Sequence, residues 1–398
     1  MSLSVVPIDF CIANNCSAAK RKIVMSATPV DNVQVSYPSV SFEQITNVVT
    51  SEFRVQEALM DNGVPTYYLV QPHETKQAFL RLLEKLQPMN LIALLRKTGG
   101  RIVLRVVSKP TTKPSNVLIN WALFLATIAT TFATGYLLSP KEINPFTGGL
   151  SFMIAVMAVL GIHEMGHKIT ANRKGIDATL PYFIPGPPPI VGGFGTFGAV
   201  IMQKSTPSNK DALFDVGADG PIAGFIIAII VSIVGLMLLI PAPSISTAGS
   251  LPEPVMWKML ELFLRSVNLF PRASQVHAHG ARFFVSYVLY LHPVAFAGWV
   301  GMLVTTLNLL PVAMLDGGHV ARSVFGENRG FRLALAAASV VYLFVEGLIP
   351  MALLVVLMLS FKHPGPLDDV SSLSNSRKLV AVGLVAILIL CAVPLPIL

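Results

Sequence analysis

The sequence predicts an all-α polytopic membrane protein with six transmembrane helices, preceded by a small α+β soluble domain. Three observations predict it. The 398-residue chain is 53% hydrophobic and only 13% charged, about half the roughly 25% charged share of an average soluble chain. Its mean hydropathy is +0.65. The charges are also unevenly spread: residues 1–115 carry them at ordinary density, while the remainder falls into long uncharged runs. These features exclude a single soluble domain, a disordered chain and a coiled coil. Three cysteines, Cys11, Cys16 and Cys391, are too few for a disulfide scaffold.

Residues 1–39 are expected to be a flexible tail. Met1–Ile23 has no charge before its apolar part, so it lacks the order of a secretory signal; Met25 is an alternative start. Residues 40–114 read as the soluble domain. Helical spacing of Ile45, Val48, Val49, Phe53 and Leu59 predicts a helix over Phe42–Leu59. Tyr67–Val70 reads as a strand, and Ala78, Phe79, Leu82, Leu83 and Leu86 make one face of a helix over Glu74–Leu86. Leu91–Leu95 and Ile102–Val107 flank Thr98-Gly99-Gly100 as a hairpin. No catalytic constellation stands out here, so the expected role is docking of an accessory or regulatory partner.

Six runs from residue 115 onward read as spans: Ser115–Ser139, Ile143–Ile162, Gly220–Ile240, Pro293–Leu315, Leu333–Phe361 and Leu379–Leu398. Each is long enough for a ~30 Å hydrocarbon core at ~1.5 Å per residue. Trp121 and Tyr136 mark the ends of the first. Basic residues set the orientation. Arg105, Lys109 and Lys113 precede span one, Lys168, Arg173 and Lys174 follow span two, and Arg322, Arg329 and Arg332 separate spans four and five. By the positive-inside rule these lie in the cytosol, with both termini. The expected location is the cell membrane. Val255–Asn268, with Trp257, Leu260, Phe263 and Leu264 on one side, reads as a helix in a surface loop or lying on the membrane.

At the end of span two stands His163-Glu164-Met165-Gly166-His167. Histidines at i and i+4 share one helix face and can bind one Zn²⁺, with the intervening Glu164 as base for water. Ionisable groups in a span are costly and usually mark function. A catalytic zinc commonly takes three protein ligands. Asp316, after the uncharged run 293–315, is the candidate third ligand; His319 and Glu346 are alternatives. Pro311 loosens the helix before it and Gly317-Gly318 lets the backbone turn after it.

Together these motifs resemble the site-2 protease family of intramembrane zinc metalloproteases. Its H-E-x-x-H lies in one span, and a distant N-x-x-P-x-x-x-L-D-G span supplies the third ligand. Asn308, Pro311, Leu315, Asp316 and Gly317 fit that order, and Asp219-Gly220-Pro221, within Gly217–Gly224, looks like the family's G-P-x-x-G span entrance. Six spans with a cytosolic head look like the archaeal and chloroplast-type branch. The resemblance implies one zinc per chain, held by His163, His167 and Asp316. It makes Glu164 the general acid/base and Asn308 a binder of the substrate backbone or the oxyanion. The implied substrates are transmembrane proteins cut within or near their spans, after a first cut elsewhere; membrane lipids surround the enzyme and nucleic acid is no partner. A substrate helix must unwind before hydrolysis. Pro185–Gln203, rich in glycine and proline, reads either as a turn region or as a re-entrant hairpin whose edge pairs with the unwound chain. The competing functions are a transporter, which leaves H-E-x-x-H unexplained, and a catalytically silent membrane chaperone.

Overall fold

A computed structural model describes residues 40–70, 75–111, 115–191, 193–243, 253–271, 287–312, 315–326, 328–345, 349–358 and 365–392. The expected tail (1–39) and Glu346 lie outside the described residues.

The head begins with α1 (Phe42–Thr50), started by a capping box in which Ser41 and Gln44 bond each other's backbone amides. Strands β1 (Val55–Asp61) and β2 (Val64–Leu69) follow, then helix α2 (Lys76–Leu86) and strands β3 (Leu91–Thr98) and β4 (Arg101–Ser108). The sheet is antiparallel in the order β1-β2-β4-β3. Ile45 and Val49 of α1 and Phe79, Leu82 and Leu86 of α2 pack on Tyr67, Leu95 and Leu104. Arg81 and Lys85 close on Glu52, and the Lys85 hydrogen bond holds its carboxyl below the usual range.

The expected helix over Phe42–Leu59 is corrected: it stops at Thr50 and the chain turns into β1. Hydroxyls end it, Thr50 bonding back to Thr46 O and Ser51 to Val48 O. Asn62 and Gly63, both at positive φ, then close a two-residue hairpin that commits residues 55–61 to a strand. The second hairpin turns at Gly99-Gly100, as expected.

Among the described residues, three helices are long and apolar enough to cross a membrane: α3 (Val117–Leu138), α4 (Pro145–Arg173) and α5 (Lys210–Met237). Asparagines cap all three, Asn116, Asn144 and Asn209 each accepting a first-turn amide. Between α4 and α5 lie strands β5 (Tyr182–Pro185) and β6 (Thr196–Val200), paired Tyr182 to Val200 and Phe183 to Ala199. Strand β7 (Ile240–Pro243), helix α6 (Val255–Ser266) and strand β8 (Tyr287–Tyr290) follow, β7 pairing with β8. The remaining helices are α7 (Pro293–Leu309), α8 (Asp316–Phe325), α9 (Arg329–Val345), α10 (Ile349–Met358) and α11 (Asn375–Cys391). The architecture is mostly helical, with three candidate spans and an N-terminal sheet.

Several expected spans have other bounds. The helix of span two runs on to Arg173, and that of span three starts at Lys210. Span four breaks: α7 ends at Leu309, Pro311 cannot continue it, and Asp316 opens the separate helix α8. Of the span-five region the described residues form α9 and α10, on either side of residues 346–348, which lie outside the described residues.

Residues 365–374 bridge the head and the helices. Leu95 N–H donates to Leu367 O and Asp369 N–H to Leu95 O, which adds the segment to the edge of β3. On its other side Leu367 and Asp368 donate to Pro207 O and Ser208 O. Leu367 packs into the head core, and Leu373 into a cluster with Phe214, Ala218, Leu309 and Leu384.

Candidate functional site

Helix α4 carries His163, Glu164 and His167, all buried. The two imidazoles stand one turn apart, as i and i+4 positions must, with ring centroids 4.9 Å apart. Asp316 reaches them from the first turn of α8. Its Oδ2 lies 3.2 Å from His163 Nε2 and 3.1 Å from His167 Nε2, and the two nitrogens are 3.1 Å apart. Among the described residues these three form the cluster of metal-capable side chains. His319, the alternative ligand, sits a turn further along α8 and is not in the cluster.

The donor set fits zinc. A tetrahedral ion with bonds of ~2.0–2.1 Å needs ligand atoms roughly 3.3–3.4 Å apart, close to the observed triangle. The tautomer fits too. His167 Nδ1 lies 2.6 Å from Val216 O. A carbonyl only accepts, so Nδ1 carries the proton and Nε2 turns its lone pair to the centre. Asn308 Nδ2 lies 3.1 Å from His163 Nε2, which places its amide at the same centre. Glu164 sits beside the triad, near the backbone of Ile201 just past β6.

Helix α5 closes the site through absent side chains. A Cβ on Gly220 would lie 2.0 Å from His167 Nε2, and one on Gly224 2.7 Å from His163 Nδ1. Gly317 does the same for α8, where a Cβ would meet Leu309 O at 2.1 Å. Thus the G-P-x-x-G segment is a flat surface against two imidazoles, with Pro221 between its glycines.

The hairpin β5–β6 sits against α3 and α4. Asn120 donates to Leu180 O and Pro181 O, Thr130 donates to Gly195 O, and Phe194 packs edge-on to Trp299. Within Pro185–Gln203, Thr196–Val200 is the second strand of this hairpin and Gly186–Gly195 its turn region.

The sequence-predicted residues His163, Glu164, His167, Asp316 and Asn308 thus meet at one place. Sequence reasoning missed Val216, which acts through its backbone carbonyl and has no residue-type signature. It noted Gly220 without its steric reason; the spacing of Gly217, Gly220 and Gly224 on one helix face was the available signal.

The model of peptidase family M50 matches residues 151–354. The chain is 30% identical over 267 residues to the probable zinc metalloprotease EGY1, chloroplastic, of Oryza sativa subsp. japonica, covering 66% of this chain and 44% of that protein. It is 26% identical over 325 residues to EGY1 of Arabidopsis thaliana, covering 73% and 56%. With the probable zinc metalloprotease EGY2, chloroplastic, of Arabidopsis thaliana it shares 28% over 251 residues, covering 62% and 42%. The chain spans about half the length of the curated relatives it matches. No solved structure matches it.

Proposed function

The chain belongs to peptidase family M50, and on that footing we propose that it is an intramembrane zinc metalloendopeptidase hydrolysing peptide bonds within or near the spans of membrane proteins. The observation that carries the reading is the convergence of His163 Nε2, His167 Nε2 and Asp316 Oδ2, with Glu164 beside them.

His163, His167 and Asp316 would hold one zinc per chain. When bound, it supplies Lewis acidity, drawing the pKa of its water toward ~7 and polarising the scissile carbonyl. The chain's own groups do the rest. Glu164 takes the water proton and returns it to the leaving amine. The Asn308 amide, beside His163, would donate to the developing oxyanion or the substrate backbone. Val216 O fixes His167 in the ligating tautomer. Strand β6 gives an unwound substrate a backbone to pair with.

The finer topology belongs to the same proposal. α7, the α9–α10 pair and α11 complete six spans, α7 with 17 residues covering about 26 Å. The active site lies toward the face carrying the head and the basic loops, read as cytosolic, and residues 40–114 form an accessory domain.

Glu164→Gln keeps shape and removes the base. The expected outcome is loss of cleavage of a single-span reporter with zinc content unchanged. Unchanged cleavage refutes the assignment.

A further inference from the structure

The third ligand stands on the least self-supporting helix of the site. α8 has ten residues and follows a break after α7. Its start is pinned by the close approach of Gly317 to Leu309 O. Its far end is held by Arg322, whose buried guanidinium makes a two-pronged pair with Asp369: Nη1 to Oδ1 at 3.0 Å, and Nη2 to Oδ2. Lys210 adds a second cation 3.7 Å from Asp369 Oδ1. Gly365, at φ +73°, clears the space: a Cβ there would lie 2.8 Å from Arg322 Nη2. Asp369 is itself fixed by the head, since its N–H donates to Leu95 O at the edge of β3 and Leu367 lies in the head core. Further pairs clamp the same junction. Lys76 of the head and Arg377 of α11 share Asp211, while Lys174, at the end of the His-bearing helix, and Arg377 share Asp215.

We infer that Asp369 and Arg322 are positioning residues for the third metal ligand: the head sheet holds Asp369, Asp369 holds Arg322, and Arg322 sets the rotation and height of the helix that Asp316 begins. Asp316 and Arg322 are about 9 Å apart along the helix axis at 1.5 Å per residue, so a shift or turn of α8 at one end is delivered to the other. A misplacement on the order of 1 Å at a reacting centre can cost ~100-fold. The β3 edge of the head, through its bond to Asp369, is therefore part of the metal site's scaffold. The inference rests on the reading of Asp316 as a ligand.

The test measures Zn²⁺ affinity of the full chain in detergent by chelator competition, alongside thermal unfolding. Asp369→Asn removes one charge of the pair. Gly365→Ala disturbs Arg322 from the other side with both charges intact. Leu82→Ala weakens the head core without touching either residue, and Asp316→Ala removes the ligand. The expected result is a zinc Kd raised about 10- to 100-fold in Asp369→Asn and Gly365→Ala, the range for groups that orient metal ligands, and near wild type in Leu82→Ala despite its lower Tm. Wild-type zinc affinity in both Asp369→Asn and Gly365→Ala, with affinity lost in Asp316→Ala, overturns the inference and leaves the ligand reading standing. Equal weakening in Leu82→Ala at a matched loss of Tm also overturns it. Wild-type affinity in Asp316→Ala overturns both.

Discussion

His163 and His167 are legible as candidate ligands because a helix puts i and i+4 on one face, and Asp316 because a carboxylate after a long uncharged run demands a reason. Gly220 shows where reading residue types stops. In sequence it is a helix glycine beside a proline; in space it is the surface against which His167 lies, with no room for a methyl group. Elsewhere in a helix, Gly→Ala gains up to about 1 kcal/mol. Here Gly220→Ala is expected to push the imidazole off the centre and lower cleavage on the order of 100-fold while the protein stays folded. Parallel rates and melting curves check this, and wild-type cleavage contradicts it.

At the scale of elements, apolar periodicity located the long helices but not their ends. The end of α7 was foreshadowed by Pro311, but the start of a new helix at Asp316 was not, because a ten-residue helix depends on packing more than on its own pattern. The Phe42–Leu59 error has a similar origin. Helical spacing persists past Thr50 by accident, and the Asn62-Gly63 turn signal outweighs it. The β5–β6 hairpin was one of two readings because glycine and proline mark both loops and hairpin corners. It depends on Gly195, at φ +77°, where a Cβ would also meet Thr134 Oγ1 at 2.4 Å. Left-handed backbone costs a residue with a side chain about 1–2 kcal/mol, before that collision. Gly195→Ala is expected to lower the Tm of the detergent-solubilised protein and reduce cleavage, whereas an unchanged melt and rate mean the corner is not needed.

For the whole molecule, low charge and high hydropathy were enough to predict a membrane protein with a small charged head, and three helices meet the length and composition of spans. The junction was not legible. Leu367 and Asp369 lie more than 250 residues from their partner Leu95, and no local pattern announces a strand added to a distant sheet edge. The proposed topology puts the head and α6 on opposite faces. In a background lacking Cys11, Cys16 and Cys391, a membrane-impermeant maleimide on closed inside-in vesicles is expected to label Glu261→Cys of α6 and spare Glu57→Cys of the head. Equal labelling of the two contradicts the orientation.

The claim that two histidines and one aspartate of a membrane-embedded peptidase form a zinc centre is tested most directly by X-ray absorption at the zinc edge on the purified full chain. The account predicts about one zinc per chain in an all nitrogen and oxygen shell at ~2.0–2.1 Å, with two imidazole contributions that fall to one in His167→Ala. A sulfur shell near ~2.3 Å, or a spectrum unchanged in His167→Ala, would contradict it.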